Sequence, residues 1–290
     1  MTVASPAQTL RPARIYDHIV DVLIAERAPK LAASPAWPLL RPLLYSFLDY
    51  DKARRMADAI AGLPGRAALE HVSELLSVKV TAAGLETLPR KGRLILVCNH
   101  PTGIADGVAV YDALRAIRPD ICFYANSDAH RVSPRFGEVL IPVEWVEAKR
   151  TRERTRETLL LTREALEAER CLVIFPAGRL ARRQADGSLA DPLWAPSAVS
   201  LARKYDAPIL PVHVTGPWSG MFHFFNRFSA ELRDVTLFHE LLNKQGQPFS
   251  LTLGAPIAPA ALEGEPADVA LALKNFVERD LAGRPGRAFA

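Results

Sequence analysis

The stretch RLILVCNHPTGIADGVAVYDALRAI, residues 93–117, carries most of the information about the fold. Five apolar residues in a row, Leu94 to Cys98, give way to Asn99 and His100. Pro101 and Gly103 then turn the chain, and an apolar pattern at helical spacing follows. A continuous rather than alternating apolar run is the mark of a strand buried on both faces. A strand, a tight turn and a helix in succession make half of a parallel β-α-β unit. The same texture recurs on both sides. SVKVTA, ICFYAN, EVLIPV, CLVIFP, PILPVHV and FSLTLG read as further strands, and the 148–170 segment and PSAVSLARKYDA read as helices between them. The expectation is an α/β core over 77–258, a mainly parallel mixed sheet covered by helices. An N-terminal helical region spans 1–76, and a C-terminal region, 259–290, carries a helix started at Pro266 and stopped by Gly283.

In the N-terminal region, Ile15, His18, Ile19 and Val22 form one helical stripe, and Leu69, Val72, Leu75 and Leu76 lie in another. Between them, AWPLLRPLLYSFL at 36–48 contains Pro38, Arg41 and Pro42 and is too short to span a bilayer. Two readings stand: a core helix broken by proline, or an interfacial segment with Trp37, Tyr45 and Phe47 at headgroup depth.

At 290 residues, 49% hydrophobic and 23% charged, the chain has enough apolar mass for a large core. A net charge of +4 suits anionic partners such as phosphorylated metabolites or lipid headgroups. Cys98, Cys122 and Cys171 each sit in an apolar run, with no CxxC pair, so free thiols in a reducing cytoplasm are expected, without disulfides or structural zinc. The first residues lack the apolar core of a secretion signal.

Functional loops of a parallel sheet lie beyond the carboxyl ends of its strands, where His100 falls. Asp106, at the start of the next helix, is placed to cap that helix or to fix the tautomer of a histidine acting as a base. Alone, the pair has a bland explanation, because a capping aspartate is common and most loop histidines do no chemistry. A second loop adds weight. CLVIFPAGRLARRQADG, 171–187, is again a strand ending in a turn, here followed by Arg179, Arg182 and Arg183, whose guanidinium groups suit a phosphate. The run Lys149, Arg150, Arg152, Arg154 and Arg156 crowds a helix start with positive charge. It reads either as a solvated face paired with Glu153, Glu157 and Glu164, or as a contact for a coenzyme A, an acidic carrier protein or anionic lipid. The aromatic run 218–228 is a lid, an acyl-tunnel wall or core packing.

Taken together, these blocks resemble the lysophospholipid and glycerol-phosphate acyltransferase superfamily. Asn99, His100 and Asp106 are similar to its NHxxxxD motif; Phe175, Pro176, Gly178 and Arg179 are similar to FPEGTRS; and APILPVHV, 207–214, is similar to its fourth motif. Five residues rather than four separate His100 from Asp106, Ala177 replaces the motif glutamate and Arg179 stands at the threonine position. NHPTGIADG with FPAG is closest to the hemolysin-like and ornithine-lipid acyltransferase-like branch. The second motif's place is taken by 125–145, from which Asn126, Arg131 and Arg135 are assigned to an acceptor pocket.

The resemblance implies an O-acyltransferase of the EC 2.3.1 class. His100 would act as general base with Asp106. Asn99, Thr102, Gly103, Asn126, Arg131, Arg135, Phe175, Pro176, Gly178, Arg179, Arg182 and Arg183 would bind substrate, with backbone N–H groups of the HPTG turn facing the oxyanion. A fatty acyl group would move from an acyl-CoA or acyl-carrier protein co-substrate to a lysophospholipid or related lyso-lipid hydroxyl. No bound cofactor, metal or nucleic acid is implied. A membrane surface is an expected partner, reached from the cytoplasm at the inner face of the cytoplasmic membrane. Two alternatives stand beside this: a non-catalytic lipid-binding protein, for which Ala177 is the best argument, and an acyl-thioesterase.

Overall fold

A computed structural model describes residues 18–144, 150–184 and 187–289. The seven runs read as strands form one seven-stranded sheet. They are β1 (Lys79–Ala83), β2 (Leu94–Cys98), β3 (Cys122–Asn126), β4 (Leu140–Val143), β5 (Cys171–Ile174), β8 (Ile209–Thr215) and β9 (Pro248–Leu253). Their order is β1-β9-β8-β2-β5-β3-β4, and every neighbour pairing is parallel except β8 with β9. A separate antiparallel hairpin, β6 (Arg182–Arg183) with β7 (Leu189–Ala190), rises from the loop after β5.

The central strands are apolar throughout because alternate residues serve two cores. Leu94, Leu96, Cys98, Val173, Leu210 and Val212 face one side. Ile95, Val97, Leu172, Ile174 and Ile209 face the other. On the first side lie α6 (Ile104–Leu114) and helices of the N-terminal region, among them α1 (Ile19–Arg27), α4 (Tyr50–Ile60) and α5 (Gly65–Leu76), whose buried residues join the sheet in one apolar cluster. On the second lie α8 (Arg152–Glu167), α9 (Ser197–Tyr205) and α13 (Pro266–Asn275), which runs on into a π-helical turn, Phe276–Asp280.

Burial in α1 falls on Val20, Leu23 and Ile24. The expected stripe is thus displaced: Ile19 and Val22 are half-buried, and Ile15 lies outside the described residues. His18 instead caps the helix, accepting from the Val20 N–H at 3.2 Å, and pairs with Asp58. The Pro-containing segment forms a continuous helix, α3 (Trp37–Phe47), with no buried residue. Leu39, Leu43 and Phe47 are exposed. Trp37 and Tyr45 point the other way, and Tyr45 donates to Asp21 at 2.8 Å and stacks on Tyr50. The three aromatics therefore do not share one interfacial face.

Candidate active site

Strand β2 ends at Cys98, and the next residue is locked before any substrate arrives. The Asn99 amide, buried, donates to the Val214 carbonyl at 2.9 Å and accepts the Val214 N–H at 2.6 Å. It extends the β2–β8 ladder by one side chain, so Asn99 is a structural clamp rather than the substrate ligand expected.

The HPTG turn then closes around one carboxylate. Asp106 stands in the first turn of α6 and is fully buried. Its oxygens accept from Thr102 N–H (2.9 Å), Thr102 Oγ1 (2.5 Å), Gly103 N–H (3.0 Å) and His100 Nδ1 (2.9 Å). With Asp106 as the acceptor in this bond, the imidazole carries its proton at Nδ1 and Nε2 keeps its lone pair. Gly103 adopts φ +101°, and a Cβ there would meet Leu180 at 3.3 Å, so the turn needs glycine. Two expectations are corrected here. Thr102 and Gly103 spend their polar groups on Asp106 rather than on substrate, and the Thr102, Gly103 and His100 N–H groups are consumed internally and form no oxyanion hole.

The loop after β5 forms the facing wall. Phe175 packs its ring 4.5 Å from the imidazole at 33°. Gly178, at φ +61°, closes a turn by donating to the Phe175 carbonyl at 2.9 Å, and the Pro176 carbonyl accepts from Ala195 at 3.0 Å. The Ala181 N–H then reaches the His100 carbonyl at 2.9 Å, stitching the two loops together.

Arg182, one residue on, lies 5.4 Å over the Phe222 ring on α10 (Gly220–Phe228). Its Nη1 is buried and has no hydrogen-bond partner among the described residues. Burial, with the nearby Arg233 and Arg179 charges, pulls its pKa below the ordinary arginine value. Arg183 stacks 5.6 Å over Trp218, and Arg179 is exposed. The arrangement is a cationic corner beside the histidine loop, with the Asp234 carboxylate nearby.

The residues assigned from 125–145 do not join this corner. Asn126 accepts the Asp128 N–H at 2.8 Å in a local turn at the end of β3, two strands from β2. Arg131 on α7 (Asp128–Val132) is bidentate to Glu26 of α1, at 2.7 and 2.9 Å. Arg135 pairs with Glu138 at 2.8 Å. These guanidinium groups tie helices together. Of the basic run, Arg154 pairs with Glu144 and Arg150 donates to the Glu144 carbonyl; Lys149 lies outside the described residues.

Asp191 was not found from sequence. It follows β7, and both its oxygens accept the His100 N–H, at 3.1 and 3.2 Å. Burial pushes its pKa up to about 6, opposed by a 2.9 Å bond from Trp194 Nε1 and by the nearby histidine. Among the described residues, no group of three His, Cys, Asp or Glu side chains is placed to share a metal ion.

Residues 79–215, which hold both loops, match the family model described as Acyltransferase. The stretch that carries both loops thus matches the acyltransferase family, and the chain is similar to lyso-lipid O-acyltransferases. The chain is 28% identical over 199 residues to a lyso-glycine lipid O-acyltransferase of Phocaeicola vulgatus, covering 65% of this chain and 68% of that one. It is 25% identical over 195 residues to the protein of the same name from Bacteroides thetaiotaomicron, covering 65% and 70%. Among solved structures it aligns with the 1-acyl-sn-glycerophosphate acyltransferase PlsC of Thermotoga maritima at a TM-score of 0.47 and 16% identity, over 90% of this chain and 95% of that one.

Proposed function

We propose that this protein is an acyltransferase that moves a fatty acyl group from an acyl thioester, acyl-CoA or acyl-carrier protein, to the hydroxyl of a lyso-lipid with an anionic headgroup, using His100 as base and Asp106 as its partner. The observation that carries the reading is the imidazole held at Nδ1 by a buried carboxylate, with Nε2 left to accept a proton. Nε2 takes the proton of the acceptor hydroxyl as its oxygen attacks the thioester carbonyl. The tetrahedral intermediate collapses, the C–S bond breaks, and the imidazolium returns the proton to the leaving thiolate. Asp106 stays ionised and stabilises the imidazolium, as such a carboxylate does in hydrolytic triads.

The headgroup site in this reading is the corner of Arg179, Arg182 and Arg183. The unpartnered Nη1 of Arg182 supports it, since a buried guanidinium donor without an acceptor is costly until an anion meets it. The names of the curated relatives support a lyso-lipid acceptor with an amino-acid headgroup. A lipid acceptor also gives the exposed apolar residues a use. Leu39, Leu43 and Phe47 on α3, and Trp218, Phe224 and Phe228 in and beside α10, would rest on a lipid surface, with Arg41 alongside. This reading assigns the enzyme to the inner face of the cytoplasmic membrane, in keeping with three free buried thiols.

The test is thiol release from palmitoyl-CoA and palmitoyl-acyl-carrier protein, with and without lyso-glycine lipid or lysophospholipid. Release that requires an acceptor establishes transfer. Release that ignores the acceptor makes the protein a thioesterase, and lipid binding without release makes it a binder.

A further inference from the structure

His100 is held from two directions, and only one of them passes through its side chain. While Asp106 holds the ring, Asp191 accepts the backbone N–H with both carboxylate oxygens. Asp191 is itself fixed. Trp194 Nε1 donates to one of its oxygens, and its own N–H donates to Glu278 Oε1 at 2.6 Å. Glu278 lies in the π-helical turn after α13, where its other oxygen takes Lys274 Nζ at 2.5 Å. Both ends of that ion pair are nearly buried. A chain of contacts thus runs from the C-terminal helix, beyond the residues that match the acyltransferase family, to the peptide of the histidine.

We propose that Asp191 is a positioning residue for His100, and that the Lys274–Glu278 pair of the C-terminal helix holds it in place. Satisfying one peptide N–H does not call for a carboxylate. A neutral amide or a water would accept it without the desolvation cost of a buried charge. A negative charge one peptide away from a base that becomes a cation has a use, because it favours the imidazolium and fixes the backbone from which the ring is hung. The groups facing Asp191 are His100 and the Cys98 thiol from β2 and its loop, and Glu278, neutralised by Lys274, from the C-terminal turn.

The proposal rests on the reading of His100 as the base, and the experiment separates the two. Acyl transfer from palmitoyl-CoA to lyso-lipid is measured on the full chain for wild type, Asp191→Asn, Glu278→Gln and His100→Ala, with unfolding midpoints. Asp191→Asn is expected to lower kcat about tenfold to a hundredfold with KM unchanged, and Glu278→Gln to do the same more weakly. The 15N shifts of the His100 ring provide a readout that needs no turnover. Wild type is expected to show the Nδ1–H form alone, and Asp191→Asn a mixture of tautomers. A wild-type kcat and unchanged ring shifts in Asp191→Asn overturn the proposal. So does a loss confined to the unfolding midpoint, and if Asp191→Asn does not fold, Glu278→Gln is read by the same criteria. An active His100→Ala overturns the reading of the base instead.

Discussion

Two arginines sit at opposite ends of the sheet, and the contrast between them separates structure from function. Arg118 lies at the amino ends of β2, β3 and β5 with its side chain fully buried. It donates to both oxygens of Asp120 and to the carbonyls of Pro89, Gly92 and Glu169. Asp120 in turn accepts the Cys171 N–H, and these bonds hold its carboxyl below the usual carboxylate range despite burial. Arg182 lies at the carboxyl end, with a buried Nη1 that no described residue accepts. A charge whose three nitrogens all find acceptors is holding strands together; a charge with a buried nitrogen left over supports the proposed headgroup site.

The sharpest break would come at the carboxyl end. Asp106→Asn should lower kcat by about a thousandfold to ten-thousandfold, because an amide permits the wrong tautomer; steady-state kinetics with a melting curve separates this from misfolding. At the amino end, Arg118→Met should leave the carbonyls of Pro89, Gly92 and Glu169 without this donor and the partly exposed Asp120 without its cation, at a cost of about 3 kcal/mol of stability. Urea unfolding reads it, and the surviving folded fraction should keep its KM.

The next effect depends on pH. Asp191 rises from 3.8 to about 6 on folding. A raised carboxyl favours the fold in its protonated form, fully below pH 3.8 and progressively less as pH climbs through 6. The stability of wild type relative to Asp191→Asn should therefore fall by about 3 kcal/mol between pH 4 and 8. Smaller again is Arg182→Met, expected to raise KM for the lyso-lipid about tenfold to a hundredfold while leaving the unfolding midpoint unchanged. An equal loss of stability in Arg118→Met and Arg182→Met would erase the contrast. The smallest effect belongs to α3, where Leu39→Asp with Leu43→Asp should weaken sedimentation with anionic vesicles and leave thiol release from detergent-dispersed substrate intact.

Much of this was legible in the sequence because the signals are local. The continuous apolar runs of β2 and β5 show burial on two faces, and His100 followed closely by Asp106 falls where a parallel sheet puts its functional loops. What escaped is non-local. Asp191 reaches His100 across 91 positions, from a loop with no periodicity. The partner that commits Arg131 to a helix contact lies 105 positions away. The two-residue strands of the β6–β7 hairpin are too short for any alternation to register, and the aromatic identity of Trp37 and Tyr45 carries no sign of the direction they face. The turn of HPTG was visible, but the direction of its N–H groups, Thr102 and Gly103 to Asp106 and His100 to Asp191, was not.

The most direct test of the whole account is acceptor-dependent thiol release by wild type against His100→Ala, with both proteins shown to melt alike. The account predicts release that requires the lyso-lipid and falls at least about a thousandfold in the variant. A variant that releases thiol at the wild-type rate would contradict it and remove His100 from the chemistry.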